Sequence, residues 1–281
     1  MSTTVFAAVL LAAALHATWN AIVKGSADKT LSMTGVVFGH VPFACVALLV
    51  FPTPLPQSYT YLAAGAALHF GYQLFLLMSY RVGDLTQVYP IARGTAPLLV
   101  AAVSVTLLGV DLSAVELGAI VVIGCGILCL SLVRQSDGMH NRRAAVMALG
   151  TGCFIASYSL VDGLGAREAG TAVGFYAWLT LLNAAAMAVY VAITDARVFR
   201  RLPREGLRYL FIGGSASFVA YALVMWAFTQ APIALVTALR ESSIVIALLI
   251  GVFYLKEKLN LIKLVSVLTT LLGVILLRWS R

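Results

Sequence analysis

The chain has 281 residues, of which 61% are hydrophobic and 11% charged, and it carries a net charge of +8. An average soluble domain is about 25% charged, so this composition excludes an ordinary soluble domain and places the chain in lipid. A spanning helix takes about 20 apolar residues at 1.5 Å each, which leaves room for ten spans and for no soluble domain.

In chain order the predicted spans are 3–24, 31–51, 59–80, 86–107 and 114–133, then 144–163, 171–194, 207–229, 234–254 and 261–278. The apolar start lacks a basic leading region and runs directly into His16, Trp19 and Asn20, so no cleavable signal is expected. His16, Trp19, Asn20 and Val23 share one face of the first helix. Pro52, Pro54 and Pro56 close the second span. The third carries His69, Tyr72, Gln73 and Tyr80 on one side. The fourth aligns Thr86, Tyr89, Pro90, Arg93 and Pro97. Two prolines seven residues apart predict a kinked or locally unwound helix with Pro90 and Pro97 as hinges, its freed carbonyls facing a cavity. The fifth and tenth spans hold mostly small polar groups, Gly118, Gly124 and Gly126 in one and Ser266, Thr269, Thr270 and Gly273 in the other. They read as packing or homodimer helices.

The break from Arg134 to Arg143 divides the chain into a first unit, 1–136, and a second, 141–281. The division is a duplication: Met78 to Leu130 lies on Met225 to Leu277 at a constant offset of 147, pairing Arg93 with Arg240, Thr95 with Ser242, Gly126 with Gly273 and Leu130 with Leu277. Five spans per half make the second repeat enter the membrane from the opposite side. The predicted fold is therefore an all-α membrane protein of ten transmembrane helices in two inverted five-helix repeats, with the binding site where they meet. Fourteen of the nineteen Lys and Arg fall in odd-numbered loops, which favours both termini outside. That accounts for most of the positive charge, and no nucleic-acid partner is expected.

In the second half Tyr158, Ser159 and Asp162 mark the sixth span, Tyr176, Thr180 and Asn183 the seventh, and Thr237, Arg240 and Glu241 the ninth. An ionisable group at membrane depth costs about 2.5 to 3.5 kcal/mol on insertion scales, so these residues are the candidates for function. Arg93 and Arg240 read as bidentate donors to a ligand carboxylate or phosphonate, or as structural arginines paired with an acid. For that pairing Asp162 is the expected partner. Asp162 and Glu241 read as salt-bridge partners or as proton-coupling carboxylates, and His16 as a proton relay or an internal hydrogen-bonding group. His40 and His69 sit near small packing surfaces and read mainly as structural. Trp19, Tyr72, Tyr158, Tyr176, Trp178 and Trp226 could form a cage for a cationic ammonium or simply pack. The run Arg197 to Arg208 reads as a solvated loop. Cys45, Cys125, Cys129 and Cys153 lack metal spacing and read as small core residues; no metal, nucleophile with an oriented base or phosphate loop is found, so neither an enzyme nor a cofactor is expected.

The stretches His16-Ala17-Thr18-Trp19-Asn20, Tyr89-Pro90-Ile91-Ala92-Arg93-Gly94, Leu239-Arg240-Glu241-Ser242-Ser243 and Leu255-Lys256-Glu257, in this order and with the duplication, resemble the drug/metabolite transporter superfamily and its two-repeat EamA type. The resemblance implies ten helices, a central cavity lined by the first four helices of each repeat, and alternating access without ATP. The expected function is secondary transport of a small anionic or zwitterionic, amino-acid-like metabolite across a bacterial inner membrane, with export as the direction and a proton as possible coupling ion. Arg93, Arg240, Glu241, Trp19, Asn20, Tyr89, Tyr158 and Tyr176 would bind substrate. Asp162, Glu241 and His16 would balance charge or carry the proton. The alternatives are a quaternary-amine importer built on the aromatic cage, or a lipid flippase.

Overall fold

The computed structural model of the protein describes residues 1–24, 26–82, 85–130, 142–253 and 261–280. The helices in chain order are α1 (Thr3–Lys24), α2 (Lys29–Gly39), α3 (Val41–Val50), α4 (Tyr59–Val82), α5 (Leu85–Thr106), α6 (Ala114–Cys129), α7 (Arg142–Glu168), α8 (Ala172–Asp195), α9 (Arg197–Glu205), α10 (Gly214–Gln230), α11 (Ile233–Arg240), α12 (Ser243–Phe253) and α13 (Leu261–Trp279). A 3-10 turn, Pro56–Ser58, leads into α4, and a π turn, Tyr209–Gly213, leads into α10. No strand occurs among the described residues. Eight stretches are long and apolar enough to cross a membrane, and two shorter apolar helices, Pro90–Thr106 and Ala114–Cys129, stand where the fourth and fifth spans are predicted. The division between the two sequence units falls within 131–141, outside the described residues.

Burial follows the solvent that lipid provides. Leu49, Leu107, Ile193 and Trp279 are 88%, 77%, 80% and 79% exposed, whereas Arg93, Asp162, Arg240 and Glu241 are at most 3% exposed. The charged groups thus turn inward, away from lipid. α4 packs on α7 and α10 on α1, while α5 packs on α7 as α11 and α12 pack on α1. The small-residue helices α6 and α13 pack on each other: Ser266 Oγ donates to the Gly126 carbonyl, and a Cβ at Gly126 would come 3.1 Å from Thr269.

Five elements depart from the sequence prediction. The second span breaks at His40, because Pro42 stands at the start of α3 and has no N–H for the carbonyl one turn back. The ninth span also breaks, as described below. By contrast α5 runs through Pro90 and Pro97 without local unwinding, and the interruption lies at the corresponding stretch of the other half. α7 extends to Glu168, five residues past the predicted end. Gly163 and Gly165 near that end are contact points: a Cβ there would come 2.6 Å from Ile233 and 2.5 Å from Phe175.

The fifth departure is α9, which stands in place of the solvated loop. Nine residues with Pro203 inside have no independent helix stability, and packing supplies it. Val198 and Leu202 are buried, Phe199 stacks on Phe38 at 6.1 Å, and Arg201 pairs with Asp28 and Glu205, each at 2.7 Å. Asp28 is also the N-cap of α2, accepting from Leu31 N–H at 2.9 Å. Partial burial pulls the Asp28 carboxyl up, but the bonds from Leu31 and Arg201 outweigh this and hold it below the ordinary value. A carboxyl depressed on folding stabilises above its unfolded pKa, near 3.9, and loses that contribution as pH falls through the lower folded value. Acidification through that window is therefore expected to loosen α9, by under about 1 kcal/mol for a pair this exposed, and to raise hydrogen exchange at residues 197–205 selectively. Unchanged protection there under acid would refute the link.

α2 meets α10 backbone to backbone. A Cβ at Gly39 would run into the Leu210 carbonyl and one at Gly214 would lie 2.5 Å from Gly39 Cα. Gly39→Ala is expected to destabilise by about 1 to 3 kcal/mol, the usual range for overpacking, seen as a lower thermal midpoint in detergent. A midpoint equal to wild type would show that these helices yield freely.

Candidate functional site

A cavity of about 100 Å³ opens between α1, α2, α4, α7, α8 and α10, roomy enough for several waters. Its walls are aromatic and polar together. Trp19, Tyr72, Tyr158, Tyr176 and Tyr221 contribute rings, His16, His40 and His69 imidazoles, and Gln73, Thr180, Asn183 and Ser217 neutral polar groups, with Met33, Val36, Val37 and Leu179 completing it. The helical periods explain the convergence. His69, Tyr72 and Gln73 lie on one face of α4, and Tyr176, Thr180 and Asn183 on one face of α8. α4 and α8 pack together, so both faces look into the same space.

Asp162 lies beside this cavity, fully buried. Its Oδ2 takes a 2.7 Å contact from His69 Nε2 and a 2.6 Å hydrogen bond from Tyr221 Oη. His69 in turn stacks on Tyr158 at 4.3 Å between ring centres. The carboxylate fits against α4 because residue 65 is glycine: a Cβ there would come 2.7 Å from Oδ1. Asp162 thus engages a histidine and a tyrosine rather than the arginine partner predicted. Helical phase shows which way a side chain points but not which helix faces it, and the packing of α7 puts Asp162 opposite α4 and α10.

The arginines meet at the break between α11 and α12. There Glu241 N–H and Ser242 N–H reach back three residues, to Ala238 and Leu239, and Ile244 N–H reaches Glu241. Arg240 ends α11 and Glu241 precedes α12. Each charge thereby sits at the helix terminus whose dipole favours it, the cation at a C-terminus and the carboxylate before an N-terminus. Across the repeats, Arg93 Nε lies 2.8 Å from Glu241 Oε2, and Arg93 Nη2 donates to Ser243 Oγ at 3.3 Å. Arg240 is less engaged. Its Nε stands 4.0 Å from Glu241 Oε1, and neither Nε nor Nη2 has a hydrogen-bond acceptor. Its guanidinium faces the Tyr221 ring at 5.8 Å, within cation–π range.

Of the predicted site residues, His16, Trp19, Tyr158 and Tyr176 line the cavity. Trp19 Nε1 donates to His16 Nδ1 at 3.2 Å, which leaves the proton of the neutral ring on Nε2. Asn20 donates to the His16 carbonyl of its own helix at 2.8 Å. Arg93, Arg240, Glu241 and Asp162 stand behind the wall, two of them reached through Tyr221. Pro90 and Pro97 are buried in α5. The Tyr89 side chain lies outside the described residues. Trp178 and Trp226 are not among the lining residues, and Trp178 is exposed on the outer face. Tyr221 and Ser217 went unread in the sequence, although polar residues four apart in the apolar eighth span were a usable signal.

Eight long apolar helices with inward-facing charges and an aromatic cavity define a multi-pass helical membrane protein. Residues 142–279 match the EamA-like transporter family. That stretch, just under half of the chain, is thus similar to a family of the drug/metabolite transporter superfamily. One solved crystal structure shares the fold at a TM-score of 0.76 and 16% identity, over 98% of this chain and 96% of the other. No curated protein sequence matches significantly.

Proposed function

We propose that the protein is a secondary transporter of a small anionic or zwitterionic, amino-acid-like metabolite in a bacterial inner membrane. The observation that carries this reading is the buried cluster of two guanidinium groups and one carboxylate. Arg93 and Glu241 compensate each other, and Arg240 remains with Nε and Nη2 lacking acceptors. A buried cation with open donors is costly unless an anion completes it, and a ligand carboxylate would do so with charge-assisted hydrogen bonds. Tyr221 stands between Arg240 and Asp162. Its displacement would open a positive subsite on one side and a negative one on the other, a spacing of charges suited to a zwitterion.

Ten helices in two inverted repeats remain the architecture proposed for this transport. It is supported by the offset of 147 and by the exchanged packing, in which α4 and α5 embrace α7 of the second half while α10, α11 and α12 embrace α1 of the first. The interrupted helix at Glu241 is the flexible point assigned to alternating access, in the manner of other broken-helix carriers. A thermal-shift screen of purified protein against amino acids, phosphonates, nucleobases and quaternary amines tests the reading. A ligand at about 100 times its Kd adds roughly 2.7 kcal/mol. Stabilisation by carboxylates and not by their amides supports it; stabilisation by quaternary amines alone would replace it with the aromatic-cage alternative.

A further inference from the structure

We infer that the cavity contains a second, uncharged subsite, formed by Gln73, Asn183 and His40, that selects ligands whose side chain carries a neutral hydrogen-bonding group such as a carboxamide. This rests on the carrier reading above and names what the far end of its ligand looks like. Gln73 and Asn183 are 5% and 8% exposed, come from different helices, and line the cavity from α4 and α8. Gln73 Oε1, Asn183 Oδ1 and His40 Nε2 are all buried without a hydrogen-bond partner. Buried polar atoms are nearly always paired, and each left open carries the full cost of its desolvation. Three such atoms among the residues lining one cavity therefore describe the complement of a missing polar group.

The residue types narrow that group. None of the three supplies a fixed charge in the way Arg240 does, and an amide offers both a donor and an acceptor. A carboxamide or urea-like end presents the matching donor and acceptor pair. An aliphatic end would leave all three atoms unpaired, and sites built on such groups reject analogues that lack the hydrogen bond far more strongly than apolar pockets reject a changed methylene. Tyr72, Tyr158 and Tyr176 lend the same space apolar walls for the ligand stem.

The test measures binding of L-glutamine, L-norleucine and L-glutaminamide to the full-length protein in detergent, using Gln73→Met, Asn183→Leu and Arg240→Gln beside wild type. Wild type is expected to prefer glutamine over norleucine by about tenfold or more, one well-formed hydrogen bond to a buried group being worth about that factor. Gln73→Met, nearly isosteric and on a different helix from Asn183, guards against a folding defect in Asn183→Leu. Each should bring the ratio close to one, while Arg240→Gln weakens both carboxylate ligands and leaves the ratio intact. Equal binding of glutamine and norleucine to wild type, or a ratio that persists in both subsite variants, would overturn the inference and leave the arginine reading standing. Glutaminamide binding as tightly as glutamine, with norleucine still poor, would overturn arginine capture and keep the subsite. No binding by any of the three would overturn both.

Discussion

Glu241→Gln is expected to lower stability by about 3 to 5 kcal/mol, the usual cost of removing one partner from a buried ion pair. The carboxylate is fully buried, 2.8 Å from Arg93 and 4.0 Å from Arg240, so its loss leaves two guanidinium groups in a low-dielectric setting with no counter-charge between them. It also removes the anion that suits the start of α12. Adding Arg93→Met in the same chain should recover part of the loss, because the second change removes one of the stranded charges. The interaction energy of the two substitutions is then well outside the 0.3 to 0.5 kcal/mol scatter of independent sites. Thermal and denaturant unfolding in detergent measure both. Additive effects of the single substitutions would show that Glu241 and Arg93 do not hold each other. An anionic ligand provides a further check. It should stabilise Glu241→Gln more than wild type, since it would enter a cluster carrying two positive charges in place of one.

The membrane class and the general course of the helices were legible because they depend on composition and length alone. α1, α4, α8 and α13 begin and end within two residues of the predicted spans. What escaped depends on three-dimensional neighbours. α9 looks like a loop until Phe38 and Asp28 are placed beside it. Pro90 and Pro97 signal a break more loudly than Glu241 does, yet α5 continues past them while the weakly marked stretch at 240–242 gives way. The candidate site was legible as helix faces, since His69 with Gln73, and Tyr176 with Thr180 and Asn183, were each read as one side of a helix and do converge on one cavity. The partners of the charges were not. Asp162 meets His69 and Tyr221, and Glu241 meets Arg93, which are pairings between helices 59 to 148 residues apart in sequence. Periodicity holds no information about such distances.

Arg240→Gln should act in the opposite sense to Glu241→Gln, keeping the fold and losing the ligand. Arg240 has the weaker structural engagement of the two arginines, a 4.0 Å approach to Glu241 and a ring contact at 5.8 Å. Its replacement also brings the cluster to one cation and one anion, so unliganded stability is expected to hold or rise. Affinity for a carboxylate ligand should fall by about 2 to 5 kcal/mol, the usual effect of truncating one side of a buried charge pair, which is about 30-fold at the least. The corresponding amide, which cannot use the guanidinium in this way, should bind wild type and variant alike. Arg93→Gln separates ligand capture from charge balance, because it strands Glu241 and is expected to destabilise the unliganded protein. Binding isotherms for acid and amide, with unfolding midpoints for the three proteins, decide the matter. If Arg240→Gln is well folded and keeps full affinity for the acid, the guanidinium faces Tyr221 for structural reasons and the ligand carboxylate lies elsewhere.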